Sequence, residues 1–561
     1  MAEKGFVRRY LFSRDHKVIG IQYLVLSMFM ALCGGAFMVL MRMNLAWPGI
    51  QWPLLGTLFP QAMPNGIMKP AFYLSLVTMH GTVMIFFVIS LALASGIANF
   101  IIPLQIGARD MAFPLLNMLS FWTVVPACLV LLASFAVEGG AAAAGWTAYP
   151  PLSAVRSAVP GSLWGQTLWI VAMALFIVSF TMGGINFITT ILEERAPGMS
   201  LFRMPLTTWS YLVSAALGLL AFPSLFAAVI LLLCDRHFGT SFYLPGGLFF
   251  GKKLLPNEGG TPLLWQHLFW FLGHPEVYVV AMPAWGIVLD LIPVFTRKPV
   301  FGYRVNVYCF YAIAVLSLLV WGHHMYVSGM SPYAGEFFAI GTLAITIPST
   351  VLGVNMLASL WGGAIRFRLP MLFAIASIVM FGTGGFGGMF LGNAASDIQL
   401  HETYFVVGHF HLMIGGVTLM ATFAALHYWF PRMFGRMMDE TLGKIHFWLT
   451  FPTFYFIFLL MHFDGFAGMP RRYYSWDKYD YLAPVRGHAV WISLLAFLLG
   501  AAQLLFLFNF FRSIRHGRKA GPNPWNAATL EWQPEGGEVH RWPYDYSLPG
   551  ADSDCTPQTA E

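Results

Sequence analysis

In the stretch FWFLGHPEVYVV, residues 269–280, an imidazole, a carboxylate and a phenol stand two residues apart within an apolar run: His274, Glu276 and Tyr278. Histidines recur in such surroundings at His80, His274, His323, His324, His409 and His411. A lone histidine in an apolar helix is ordinarily a hydrogen-bonded core residue. A set of them marks a functional site by default, because isolated polar groups in hydrocarbon are costly. Neutral imidazole is also a common ligand for copper and iron. Spacing narrows the chemistry. His409 and His411 lie about 200° apart on an α-helix, so each can hold a different metal or planar cofactor on opposite faces. His323 and His324 are adjacent, about 100° apart, and can both reach one metal near a helix end. His274 and Tyr278 are four residues apart and share a helix face, which sets the phenol beside an imidazole-bound metal.

These residues need a membrane bundle to position them. The chain has 561 residues, 58% of them hydrophobic and only 10% charged, with a mean hydropathy of +0.67. A soluble protein carries roughly a quarter charged residues. Apolar runs long enough to cross a bilayer recur near 18–44, 70–104, 112–137, 165–192, 208–235, 264–292, 300–327, 335–362, 369–395, 402–430, 443–467 and 485–515. The expected fold is an all-α, polytopic twelve-helix bundle over residues 1–516, followed by a polar tail, 517–561. The first twenty residues are polar and basic, so no cleavable signal is evident. Lys and Arg concentrate in the N-terminus, the 297–304, 366–368 and 432–444 turns and the 512–519 run. With an even helix number these fall on one side, so both termini and the tail are expected on the cytoplasmic side of a bacterial-type cytoplasmic membrane. The net charge of +6 is then topological, with no case for nucleic-acid binding. Cys33, Cys128, Cys234 and Cys309 show no CxxC spacing and read as packing residues.

The motifs WQHLFWFLGHPEVY, VWGHHM, HETYFVVGHFHLM and MPRRYYSW, in this order and spacing, resemble subunit I of the heme–copper oxidase superfamily, close to its cytochrome c oxidase branch. The resemblance runs from about residue 12 to about 535. It implies His80 and His411 as axial ligands of a low-spin heme, suited to electron transfer alone because no iron position stays open. It implies His409 as the protein ligand of a high-spin heme and His274, His323 and His324 as ligands of one copper facing that iron. It also implies a covalent Tyr278–His274 link, Arg471 and Arg472 at heme propionates, and Arg42 at a substituent of the low-spin heme. His401, Glu402 and Asp397 would sit near a magnesium or water cluster, although the family usually has Asp at position 402. The hemes would be a-type or b-type.

Such a reaction consumes protons, which a dry bundle imports along polar side chains and water. The resemblance assigns this to Asp110 as entrance, then Asn99, Asn117, Asn186, Thr181 and finally Glu276; Phe180 stands where a second hydroxyl is usual. A second path, through a lysine after IPT, is missing: the chain reads AITIPSTVLGVNML, with Leu352 at that position, Ser349 retained, and Leu289 replacing the usual entrance serine beside Asp290. Quinol-binding side chains are replaced by Cys33, Phe37, Phe72 and Ser75, so no quinol site is expected. The expected donor is cytochrome c acting through a subunit II that carries a dicopper centre, a heme c or both, with a subunit III alongside. The implied activity is O2 reduction to water with proton uptake and pumping. Reduction of NO to N2O is the alternative, suggested by the absent lysine.

Overall fold

A computed structural model of the protein describes residues 5–158, 161–476 and 479–533. Among these, eleven helices are long and apolar enough to cross a membrane. They are α1 (His16–Ala46), α2 (Pro70–Ile106), α3 (Pro114–Ala136), α4 (Trp164–Glu193), α5 (Leu206–His237), α6 (Pro262–Thr296), α8 (Pro332–Leu360), α9 (Leu369–Gly392), α10 (Tyr404–Phe434), α11 (Glu440–Phe466) and α12, which the apolar span Asp480–His516 contains. The expected span at 300–327 is shorter than its sequence suggests. Its helix α7 covers Tyr303–Ser317, only 15 residues, about 22 Å at 1.5 Å per residue and short of a hydrocarbon core of about 30 Å. A tight 3₁₀ turn, Trp321–Met325, completes it. That turn carries His323 and His324.

The helix starts follow from local chemistry. Proline opens α2, α3, α6 and α8, where its missing N–H is not needed. Side chains of Asp15, Thr261, Ser331 and Asp439 accept from the first free N–H groups of α1, α6, α8 and α11. Chain-adjacent helices are mostly neighbours in space, as short connections require. The helices α2 and α6 are almost wholly buried, whereas most of α1, α8 and α12 faces outward.

Two helices lose α-register beside their histidines. In α2, residues Val83–Ile97 form a π-helical stretch just beyond His80. In α10, residues His411–Gly416 do the same. Such stretches rotate the following side chains relative to the preceding turn and favour functional sites.

The first part of the polar tail is not loose. Arg297 donates to the carbonyls of Trp525 and Asn526 at 2.7 and 2.8 Å, and Trp525 Nε1 donates to the Tyr428 carbonyl at 2.8 Å. Trp532 and Glu531 are buried. A Glu531 carboxylate oxygen accepts from Gln105 and Trp429 at 3.5 and 3.4 Å, and burial pushes this carboxyl up to about 7. The remainder of the tail, 534–561, lies outside the described residues.

Candidate functional site

Three histidines converge at the end of the α7 turn. His274 on α6 and His323 and His324 on the turn each offer a ligand nitrogen, all within 4.8 Å of one another. The Nδ1 of His274 lies 3.3 Å from Nε2 of His324. His323 is fixed by a 2.7 Å hydrogen bond between its Nδ1 and Thr342 Oγ1, and His324 by stacking on Trp270, with centroids 3.8 Å apart. Gly322 makes the turn possible: a Cβ there would meet the Phe338 ring at 2.3 Å. Tyr278 lies one turn along α6 with its ring 5.0 Å from that of His274, as the i, i+4 spacing requires. His274 Nε2 has no partner among the described residues. Three crowded imidazoles, one with an unpartnered nitrogen among the described residues, suit a copper ion.

The other three ligand candidates share one device. Nδ1 of His80 bonds the Gly34 carbonyl at 2.9 Å, that of His409 the Gly384 carbonyl at 2.8 Å, and that of His411 the Val407 carbonyl at 2.8 Å. An Nδ1–H donated to a carbonyl fixes the tautomer that leaves Nε2 as a lone-pair donor. His80 and His411 lie close enough to interact electrostatically, as do His409 and His323. A Cβ at Gly387 or Gly388 would press to 3.1 Å on the His409 ring, and His411 stacks on Phe458 with centroids 4.1 Å apart. These residues are compatible with what the resemblance implies: His80 and His411 would hold one iron and His409 a second, with His323 among its electrostatic neighbours.

Polar groups lead toward Glu276 from the end of α2 on which the tail packs. The Asp110 carboxylate accepts from the backbone N–H groups of Met111 at 2.7 Å and His16 at 3.3 Å. Burial pushes the Asp110 carboxyl up, against those hydrogen bonds and nearby His16. Asn186 holds both backbone groups of Phe113, whereas both amide atoms of Asn117 and Oδ1 of Asn99 are buried without partners among the described residues. Unpaired buried amides are where ordered water belongs. A cavity that Asn99 helps to line is also bounded by Tyr23, Ser95, Ser179, Tyr211 and Ser214. Thr181 does not line it and bonds its own helix, at the Ile177 carbonyl; Ser179, two residues earlier, does. Glu276 ends the series, fully enclosed, with one oxygen accepting from Ser90 Oγ at 3.1 Å and the other unpartnered among the described residues. Ser90, Ser179, Tyr23 and His16 escaped the sequence reading, since a serine or tyrosine in an apolar run carries no motif.

Among the described residues, the positions corresponding to the lysine and entrance serine of a second path, on α8 and α6, are apolar. Leu352 and Leu289 are completely buried in one hydrophobic core. Asp290 caps the start of α5 through the N–H groups of Leu206 and Thr207, both at 3.0 Å.

The residues expected around magnesium form two separate pairs. His401 Nδ1 bonds Asp397 at 2.8 Å, while Glu402 takes the Arg471 guanidinium on both oxygens. Burial alone would raise the Glu402 carboxyl, but the Arg471 fork holds it down at about 2. In this structure the three side chains do not converge on one cation: each carboxylate is taken up by His401 or by Arg471. Arg472 reaches Thr147 Oγ1 at 3.4 Å, and Arg42 is buried, donating to Ser493 Oγ at 3.1 Å and the Ala489 carbonyl at 3.3 Å.

The family model of cytochrome c and quinol oxidase polypeptide I matches residues 18–486. The chain belongs to this family. Curated relatives of the oxidase chain include the alternative cytochrome c oxidase subunit 1 of Bradyrhizobium diazoefficiens, 45% identical over 98% of this chain and 93% of the relative. They also include cytochrome c oxidase subunit 1 of Thermostichus vulcanus, 41% identical over 96% and 93%. A heme–copper terminal oxidase dimer solved by cryo-EM shares the fold, with a TM-score of 0.74 at 18% identity, covering 90% of this chain and 85% of that one. The oxidase chain is thus a multi-pass membrane oxidoreductase, the heme- and copper-bearing catalytic subunit of a complex with other subunits.

Proposed function

We propose that the oxidase chain reduces O2 to water, taking electrons from cytochrome c through a subunit II with a dicopper centre, a heme c or both, beside a subunit III. It would do so in a bacterial cytoplasmic membrane, with both termini cytoplasmic and 1–516 acting as one membrane domain. The observation that carries this reading is the packing of Tyr278 against His274 within the three-histidine cluster. His80 and His411 would hold a low-spin heme, His409 a high-spin heme, and His274, His323 and His324 copper; the hemes would be a-type or b-type. When bound, these groups supply one-electron chemistry and a place for a diatomic between iron and copper.

The chain's own residues handle protons. Asp110 collects them, the buried amides of Asn99 and Asn117 and the Ser179 side hold water, and Glu276 Oε2 passes protons on. Tyr278 holds a hydroxyl proton beside His274, to which we propose it is covalently linked. Uptake through Glu276 would also serve pumping. Arg42 and Arg472 would hold heme substituents; Arg471 would do so only by sharing its fork with Glu402.

One observation favours a second reading. Among the described residues Leu352 and Leu289 pack in an apolar core, where a second proton path to Tyr278 would run; a nitric-oxide reductase would not need that path because no O–O bond is broken. Metal and heme analysis with turnover on O2 and NO decides between them. Rapid O2 turnover that collapses in Tyr278→Phe is expected. Rapid NO turnover, little O2 turnover and an active Tyr278→Phe variant would overturn the oxygen reading. For the oxygen reading, Leu352→Lys with Leu289→Ser should also accelerate reduction of the high-spin site.

A further inference from the structure

On the face opposite the tail, α11 and α12 place a carboxylate and an imidazole together. Asp464, with a side chain 3% exposed, bonds His488 Nδ1 at 2.7 Å. The His488 side chain is 31% exposed. Asp464 also lines a small cavity with Arg42, Tyr404, Met469, Trp476 and Arg486. An ionised carboxylate this deep needs compensation. The cationic fork of Arg42, near enough for its charge to act on Asp464, is hydrogen-bonded to Ser493 and to the carbonyl of Ala489, the residue after His488. Among the described residues, the other titratable or charged groups around the pair are Tyr404 from α10, Tyr73 beside Tyr404 and Arg42, and Arg486 with its partner Asp480 at 3.8 Å. None of the roles assigned to the oxidase chain uses Asp464 or His488.

We propose that Asp464–His488 is a proton-exchanging pair that balances charge at the low-spin heme. The inference rests on the reading that His80 and His411 bind that heme and Arg42 contacts it. The charge count drives it. With Asp464 ionised and His488 neutral, Arg42 and Asp464 cancel. One electron arriving from the donor leaves one negative charge uncompensated beside a low-dielectric wall. One proton taken from water at His488 Nε2 restores the balance, and it returns to water when the electron moves on. Nδ1–H stays on the carboxylate throughout, which keeps Nε2 as the accepting nitrogen. The site is therefore a positioning and charge-balancing element, not a catalytic one.

The test is a redox titration of the low-spin heme in the assembled, detergent-solubilised complex, repeated from about pH 5 to pH 8, where a histidine changes charge. The wild-type midpoint potential should fall as pH rises. Asp464→Asn keeps a hydrogen-bond acceptor of the same size and removes only the charge; His488→Gln keeps a donor but takes no proton. Both should show a normal low-spin spectrum with most of the pH slope lost, and Asp464→Glu should restore it. A wild-type slope retained in an assembled Asp464→Asn or His488→Gln variant overturns the proposal. So does failure of both to bind heme, which would make the pair structural. Absence of a bis-imidazole spectrum in wild type would instead overturn the underlying heme reading.

Discussion

At the scale of single residues, Glu276, buried and with one oxygen unpartnered among the described residues, is proposed as a proton carrier and not a ligand. Glu276→Gln and Asp110→Asn should each lower steady-state turnover by about 10²-fold or more, the usual worth of a positioned proton donor or acceptor. Both heme spectra should persist, and oxygen consumption beside optical spectra checks the split. The Glu402–Arg471 pair yields a pH prediction of definite sign. The folded carboxyl sits at about 2, below its unfolded value of about 4.3. Its stabilisation is present in full above about pH 4.3 and disappears as pH falls toward 2. Melting temperatures of wild type and Glu402→Gln should therefore differ at pH 6 and converge on acidification. The residue scale is also where the sequence was most legible. His274 and Tyr278 meet because four residues make one helical turn, and His274, His323 and His324, proposed as ligands from their motifs, converge. The Ser90–Glu276 contact joins residues 186 positions apart, and nothing local encodes it.

At the scale of elements, the 3₁₀ turn after α7 positions His323 and His324, two of the three proposed copper ligands. Gly322→Ala forces a methyl group into the Phe338 ring, and the turn must shift to relieve it. The expected result is loss of copper with both hemes retained, read by metal analysis and optical spectra of the same preparation. Hydropathy alone suggested a full span at 300–327, because a tight turn of apolar and aromatic residues scores like helix. The same limit applied to α4. A two-residue difference moves a side chain about 200° around a helix, so Ser179 faces the cavity and Thr181 does not, a distinction that composition cannot make.

At the scale of the whole molecule, the tail adds packing that its polarity does not announce. The aromatic anchors Trp525 and Trp532 and the enclosed Glu531 bind residues 518–533 to α2, α6 and α10. Trp532→Ala should cost about 3–5 kcal/mol, and truncation after residue 517 more, seen as a lowered melting temperature of the detergent-solubilised complex. Unchanged melting in the truncated chain would show that the packing contributes nothing. The order of synthesis gives that seal a further meaning. Residues 518–533 leave the ribosome after every helix they touch, and chains fold in the order they emerge. The face that carries Gln105, Arg297 and Trp429 therefore stays uncovered until the last helix is in place, so closure of the tail reports that the bundle beneath it is complete.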